Sequence, residues 1–413
     1  MEFSSTLSHF KDCVVGLNSP FPWAPGHAYG ELELMCYKKL EGQDSRPYLY
    51  PCLEGPIASA LQTAFSESLN SINITVITNP TEIREALLSA EHLDISQSSI
   101  KYVKRSDISE LHYRLGPGND LYVQLTNGEN NFRSLLGSNQ CLQADTADYI
   151  NYYLENGDFF IQTRNALKGK TQLPPKLLKY IETKNKLVLI NIREHKANCS
   201  AGMPAASFEG IASYCRDNNY AVVDMSHEAK SHEVLRFCKE YDVFPYWSLP
   251  EKSAAMDIEL FTRASFYLGG GGPSHLAIMF RVPMLWIGNL YPIQVMAYNS
   301  YQLPCRLISK KNNYSLDFSD MFDIYLKRPE LWEDKYDSWL KKYGPFNYNN
   351  CIDEISHFYI VERPNSWSIL TSFLELEHNI EKKISDYNIF TSQSRDLLGR
   401  RFRTLDRPSA WNL

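Results

Sequence analysis

The densest run of chemistry-bearing residues is Gly269-Gly270-Gly271-Gly272-Pro273-Ser274-His275. It lies between FYLG, an apolar strand-like run, and PSHLAIMF, a helical one with Pro at its opening turn, where a missing N–H costs nothing. Glycines without Cβ let a ligand come against the backbone. Amides opening a helix receive phosphate, helped by the helix dipole, and Ser274 and His275 add side-chain donors. This is neither a P-loop, which needs Gly-Lys-Ser/Thr, nor the GxGxxG fingerprint of a first strand. A tight turn with several φ > 0 residues also uses glycine, but four in succession exceed that need and favour ligand contact.

Arg193 and Glu194 directly follow another apolar run, LVLINI. An Arg there can hold a diphosphate bidentately or pair with a surface carboxylate, and spacing alone leaves both open. Asp224, Ser226 and His227 occupy the same place after YAVVDM; capping the next helix is the favoured reading of that group. Asp257 and Glu259 open a helix before the glycines. One of them can take ribose hydroxyls, while the other complements the helix dipole. Near the N-terminus, WAPGHAYGE reads as a Gly-bounded loop entering a helix, with His27 and Glu31 as acid–base groups.

These residues need a scaffold that brings strand ends together. From Leu187 to Gly288 short apolar strands alternate with amphipathic helices: LVLINI, SFEGIASYCRDNN with Phe208, Ile211, Ala212 and Cys215 on one face, YAVVDM, HEVLRFCKEY, VFPYW, AMDIELFTRA, FYLGGGG, PSHLAIMF and VPMLWIG. That alternation predicts a parallel sheet covered on both faces, whose carboxyl strand ends bind ligands. The first part shows the same alternation: GELELMCYKKL, RPYLYPC, GPIASALQTAFSESL, ITVITN, then TEIREALLSA opened by Thr81. A Tyr-rich region around Tyr149, Tyr152 and Tyr153 carries no clear period. QLPPKLLKYIETKN carries a Pro-Pro pair and then a helix and reads as a linker, and the chain after Leu316 as mostly helical, ending in a basic tail.

With 413 residues the chain is long for one core and comfortable for two. A net charge of −6 gives no general attraction to nucleic acid or anionic lipid. Nine singly scattered cysteines form no CxxC pair, which excludes a zinc ribbon and fits reduced thiols in a cytoplasmic compartment. The start has no basic segment followed by an apolar core, so no secretory signal is read there. No apolar run reaches the ~20 residues of a membrane span. HExxH and Gly-x-Ser-x-Gly are absent. So is Asp-x-Asp, a carboxylate pair that commonly holds a nucleotide-sugar diphosphate through a divalent metal.

The segment Leu187–Gly288, read as INIRE, NNYAVVDM and MDIELFTRASFYLGGGGPSHLAIMFRVP, resembles the C-terminal domain of a family of bacterial GT-B glycosyltransferases. PGHAYGELEL, RPYLYPC and GPIASALQ resemble the family's N-terminal half, in the expected order. The HKANCSAGMPAASFEG segment and the Gly271-Gly272-Pro273 version of the loop depart from the family pattern. The resemblance implies an α/β fold of two Rossmann-like domains facing a cleft, with C-terminal helices. The expected boundaries are 1–170 for an acceptor-side domain, 180–310 for a nucleotide-sugar domain, and 311–413 for helices bracing the two. It implies a metal-independent glycosyltransferase without cofactor, taking a nucleotide sugar and a glycan, lipid-linked or protein acceptor. Arg193, Asp257, Gly270, Gly271, Gly272, Ser274 and His275 would bind the donor, Tyr29 and Gly30 the acceptor, with His27 or Glu31 as base. The alternatives are a nucleotide-sugar epimerase of the same architecture and an inactive nucleotide- or glycan-binding protein.

Overall fold

The computed structural model describes residues 10–16, 25–41, 44–52, 54–94, 101–103, 157–194, 203–226, 231–270, 273–288, 300–303, 305–315 and 359–378. They fall into two compact units. The first holds the described residues up to Thr171 together with Ser253–Thr262, and the second holds the rest.

In the first unit the chain runs β1 (Val14–Gly16), α1 (Pro25–Glu41), β2 (Tyr48–Pro51), α2 (Pro56–Ala64), α3 (Ser66–Ser71), β3 (Ile74–Ile77), α4 (Pro80–Ser89), β4 (Glu91–Asp94), β5 (Lys101–Val103) and α5 (Gly157–Leu167). Its sheet has the order β3-β2-β1-β4-β5, parallel except for β5. Helix α1 begins at Pro25, so His27, Tyr29 and Glu31 belong to helix rather than to the loop that the glycines forecast. Thr81 does not open α4. Asn79 does, its side chain accepting from the amides of Thr81 at 2.8 Å and Glu82 at 3.3 Å, with Pro80 as the first helical residue.

A charged knot ties the amino ends of these strands. Arg46 donates to Asp44 through Nε at 3.1 Å and Nη2 at 2.7 Å, and through Nη1 to Glu91 Oε2 at 2.5 Å. The guanidinium thus links the approach to β2 with the first residue of β4, on either side of β1. Hydrogen bonds from Arg46 hold the Asp44 carboxyl down at about 2. A depressed acid stabilises the fold above its unfolded pKa near 4 and loses that contribution as pH falls through its folded value. Asp44→Asn should therefore cost about 1–2 kcal/mol at pH 7, after discounting for the partly exposed Arg46. In urea titrations the deficit should shrink to nothing between about pH 4 and pH 2; a constant deficit would refute the pairing.

The second unit starts with α6 (Pro175–Glu182), the stretch that the Pro-Pro pair marked as linker. It continues β6 (Leu187–Ile190), a 3-10 turn (Ala205–Phe208), α7 (Glu209–Asp217), β7 (Ala221–Asp224), α8 (His232–Glu240), β8 (Val243–Pro245), α9 (Ala254–Arg263), β9 (Phe266–Gly269), α10 (Ser274–Met279), β10 (Met284–Ile287) and β11 (Ser300–Leu303). All of α9 but its last residue is grouped with the first unit. Six parallel strands run β11-β10-β9-β6-β7-β8. Numbered from β6, that is the 3-2-1-4-5-6 order of a Rossmann sheet. Strands buried on both faces explain why LVLI, FYLG and MLWI read as unbroken apolar runs.

Asn219, Asp242 and Arg281 have φ of 57°, 54° and 53° just after α7, α8 and α10. A single left-handed residue turns each helix back into the next parallel strand. On one face Val188, Ile190, Phe266, Leu268, Leu285 and Ile287 pack with α7 and α8. The same core receives Ile369, Phe373 and Leu376 of α11, a helix over residues 366–378. Glu377 anchors α11, accepting from Lys186 Nζ at 2.7 Å, Tyr220 Oη at 2.7 Å and Tyr214 Oη at 2.8 Å. Of the described residues after Leu316, most are α11; β13 (Tyr359–Glu362) precedes it and pairs antiparallel with β12 (Arg306–Ser309). The Tyr-rich region and the basic tail lie outside the described residues.

Candidate ligand site at the sheet reversal

The chain leaves β6 in one direction toward β7 and β8, and returns on its other side as β9 and β10. The crevice outside the carboxyl ends of β6 and β9 is where such sheets bind ligands. Ile190 is followed by Asn191, Ile192, Arg193 and Glu194, and β9 ends in Gly269 and Gly270. The sequence pieces Arg193 and the glycine run are thereby brought to one sheet edge.

Asn191, 2% exposed, extends the ladder by donating its amide to Leu268 O at 3.1 Å. Its Nδ2 donates to Gly270 O at 2.7 Å. Tyr267 Oη points at the same carbonyl from 3.4 Å. Gly269 has φ of 152°, and a Cβ there would stand 2.8 Å from Asn191 Cβ and 3.2 Å from Tyr267 Oη. The first glycine of the run therefore answers to packing within the protein, not to ligand approach. Gly271 and Gly272 lie outside the described residues, and Gly270 is buried.

Arg193 is half-buried, and its amide donates to Met203 O at 2.8 Å. It forms no ion pair among the described residues. Its charge reaches the Tyr267 phenol: burial pushes that group's pKa up, and Arg193 together with a bond from Asn191 pulls it back. Glu194 is occupied elsewhere, accepting from Ser231 Oγ.

Ser231 is also what caps α8, accepting from the Val234 amide at 3.4 Å. Asp224 does not cap it. Fully buried, Asp224 accepts at Oδ1 from Ile192 N at 3.3 Å, Ser226 N at 3.2 Å and Ser226 Oγ at 2.6 Å, and at Oδ2 from Trp247 Nε1 at 2.9 Å. It fixes the exits of β6 and β7 and has no capacity left for a ribose. His227 lies outside the described residues. Lys252 Nζ adds a cation at this edge, donating to Ser226 O at 2.8 Å.

Beyond the glycines Ser274 is fully buried and His275 half-buried. The His275 ring stands perpendicular to that of Trp286 at 6.2 Å. Trp286 of β10 pairs in register with Gly269, and its buried indole N–H has no hydrogen-bond partner among the described residues. Sequence reasoning passed over Asn191 and Trp286 because both sit inside apolar strand runs.

The remaining candidates fall in the first unit. His27 and Glu31 lie one turn apart on α1, so they share a face of it; their side chains are outside the described set. Tyr29, expected on an acceptor surface, is 1% exposed with its ring 6.5 Å from that of Phe65, and it fills core. Gly30 is half-buried. Asp257 is in the first turn of α9, and its charge, after burial, raises the pKa of Tyr29. Glu259 is 1% exposed, and both of its oxygens accept from Gly169 N at 2.9 Å, so it clamps the turn after α5.

No group of three or more His, Cys, Asp or Glu among the described residues is placed to hold a metal ion. No helix among them is long and apolar enough to cross a membrane.

Two Rossmann-like units in series make the fold GT-B-like. No protein-family model and no curated protein matches the chain. Among solved structures it is similar to E. coli heptosyltransferase WaaC with ADP-2-deoxy-2-fluoro heptose, at 13% identity over 78% of this chain and 99% of that one, TM-score 0.39. It is similar to the glycosyl transferase family 9 structure from Veillonella parvula DSM 2008, at 12% identity over 78% and 98%, TM-score 0.38. A third is the UDP-GlcNAc 2-epimerase from Neisseria meningitidis bound to UDP-GlcNAc, at 10% identity over 84% and 98%, TM-score 0.29. The fold assignment stands on the chain's own strand order.

Proposed function

We propose that the second unit binds the nucleoside diphosphate of a nucleotide-activated sugar, and that the protein is a glycosyltransferase acting on a hydroxyl acceptor. The observation that carries this reading is Arg193, a guanidinium without an ion pair among the described residues, at the carboxyl end of the strand where the sheet reverses. A diphosphate is the ligand that a planar five-donor fork and glycine amides best receive. In transfer, the acceptor oxygen bonds to the anomeric carbon as the bond to the diphosphate breaks. The base, His27 or Glu31, takes the acceptor proton, and Arg193 stabilises the charge gathering on the leaving group without needing a metal. Asp257, whose charge acts on Tyr29, sits with the acceptor-side unit in this reading.

The test is calorimetric titration of nucleoside diphosphates and nucleotide sugars, with and without magnesium. One nucleotide family should bind, equally well without the metal. Arg193→Ala should weaken it about 10–100-fold, the worth of a charge-assisted bidentate contact of about 1.5–3 kcal/mol. Folded protein that binds none of them would exclude the reading. Intact binding with lost turnover in His27→Ala would separate an enzyme from an inactive binding protein.

A further inference from the structure

We propose that Trp247 is the surface on which the nucleobase of the ligand stacks; the proposal deepens the nucleotide-binding reading above and rests on it. In a sheet of this strand order, an acid following the second strand commonly receives the ribose. Counted from β6, that strand is β7, and Asp224 is its last residue. A nucleoside whose diphosphate meets Arg193 thus runs across the end of β7 toward β8. Neighbouring strands lie about 4.8 Å apart, which puts β8 about 10 Å from β6, within reach of a base that a ribose extends from its phosphates. Trp247 stands there, in the 3-10 turn Tyr246–Ser248 that directly follows β8.

The local bonding fixes that ring. Asp224, fully buried, takes the Trp247 indole N–H at 2.9 Å. The position that reads ribose in other such sheets here anchors an aromatic ring one strand further on. Lys252 adds a second tie between the same segments: its Nζ donates to Ser226 O at 2.8 Å, just past β7, and lies 4.8 Å from the centre of the Tyr246 ring. Ser248 Oγ closes the turn by donating to Pro245 O at 2.7 Å. Trp247 itself is half-buried, packed against the core yet open to solvent in part. Its single polar group is spent on a buried carboxylate, so the ring offers a ligand only apolar surface. Every base has a π-face for such a surface, and a ring already held in place loses little freedom when the base arrives.

Two substitutions separate the ring from its anchor. Trp247→Gln keeps an N–H for Asp224 and removes the ring, whereas Trp247→Phe keeps a ring and removes the N–H. Nucleoside diphosphates and inorganic pyrophosphate, which has no base, are titrated against the wild type and both variants, with each melting temperature recorded. In Trp247→Gln the nucleoside diphosphate should bind about tenfold more weakly, while pyrophosphate affinity changes less than about twofold. In Trp247→Phe the loss for the nucleoside diphosphate should stay below about threefold, since a π-face remains. If Trp247→Gln does not fold, Trp247→Leu takes its place. Nucleoside diphosphate and pyrophosphate weakening in parallel would make Trp247 a structural residue only and overturn the proposal. So would the reverse pattern, in which Phe weakens binding and Gln spares it, because Trp247 would then matter only as a donor to Asp224. A wild type that binds pyrophosphate and nucleoside diphosphates, with affinities that no variant changes, overturns the role of Trp247 alone. A folded wild type that binds neither removes the nucleotide reading itself.

Discussion

Gly269→Ala is expected to lower stability by about 2–6 kcal/mol. Two costs combine. The backbone at φ of 152° lies where an L-residue is strained, worth about 1–3 kcal/mol. The new methyl also overlaps Asn191 Cβ at 2.8 Å and crowds the Asn191 backbone nitrogen at 3.3 Å. Overpacking of that kind costs about 1–3 kcal/mol. Both contacts are with a short side chain and a backbone on an interior strand, so neither can swing aside. Gly169→Ala is the control, because Gly169 has φ of 84° but nothing within 4 Å of its would-be Cβ; it carries strain alone. Urea unfolding of the two variants should show the larger loss at Gly269. Equal losses would mean that the approach of Asn191 does not constrain the glycine.

The second sheet was legible in the sequence because β6, β7, β9 and β10 are interior strands. Burial on both faces leaves unbroken apolar runs, and amphipathic helices alternate with them. Strands made by pairing rather than by composition were not legible. EHLD of β4 and SYQL of β11 are polar, and they become strands because a neighbour offers hydrogen bonds. VVG of β1 is three residues long, too short for a period. At the candidate site, Arg193 and the glycine run could be found from their place after apolar runs. Their supports could not. Asn191 looks like one polar interruption within LVLINI, and only the sheet order brings it beside Gly269, 78 positions along the chain. Caps were misplaced by the same logic: Thr81 and Asp224 are good capping residues by type, but Asn79 and Ser231 stand at the helix starts.

Asp224→Ala should cost at least about 3 kcal/mol and remove nucleotide binding with it. The carboxylate is fully buried and joins three segments: the exit of β6 through Ile192 N, the exit of β7 through both groups of Ser226, and the turn after β8 through Trp247 Nε1. Alanine leaves those donors facing a cavity. Each unpaired buried donor costs about 1–3 kcal/mol, reduced where a water enters. Asp224→Asn should be little better, since its NH2 must face a donor on one side or the other. Ser226→Ala, which loses a single hydroxyl from the same knot, should cost about 1 kcal/mol. Ile192 is the residue before Arg193, so releasing its amide frees the backbone that aims the guanidinium. Diphosphate affinity should then fall even where the protein still folds, in low denaturant or at reduced temperature. Asp224→Ala matching Ser226→Ala in both stability and affinity would show that the knot neither holds the sheet edge nor aims Arg193.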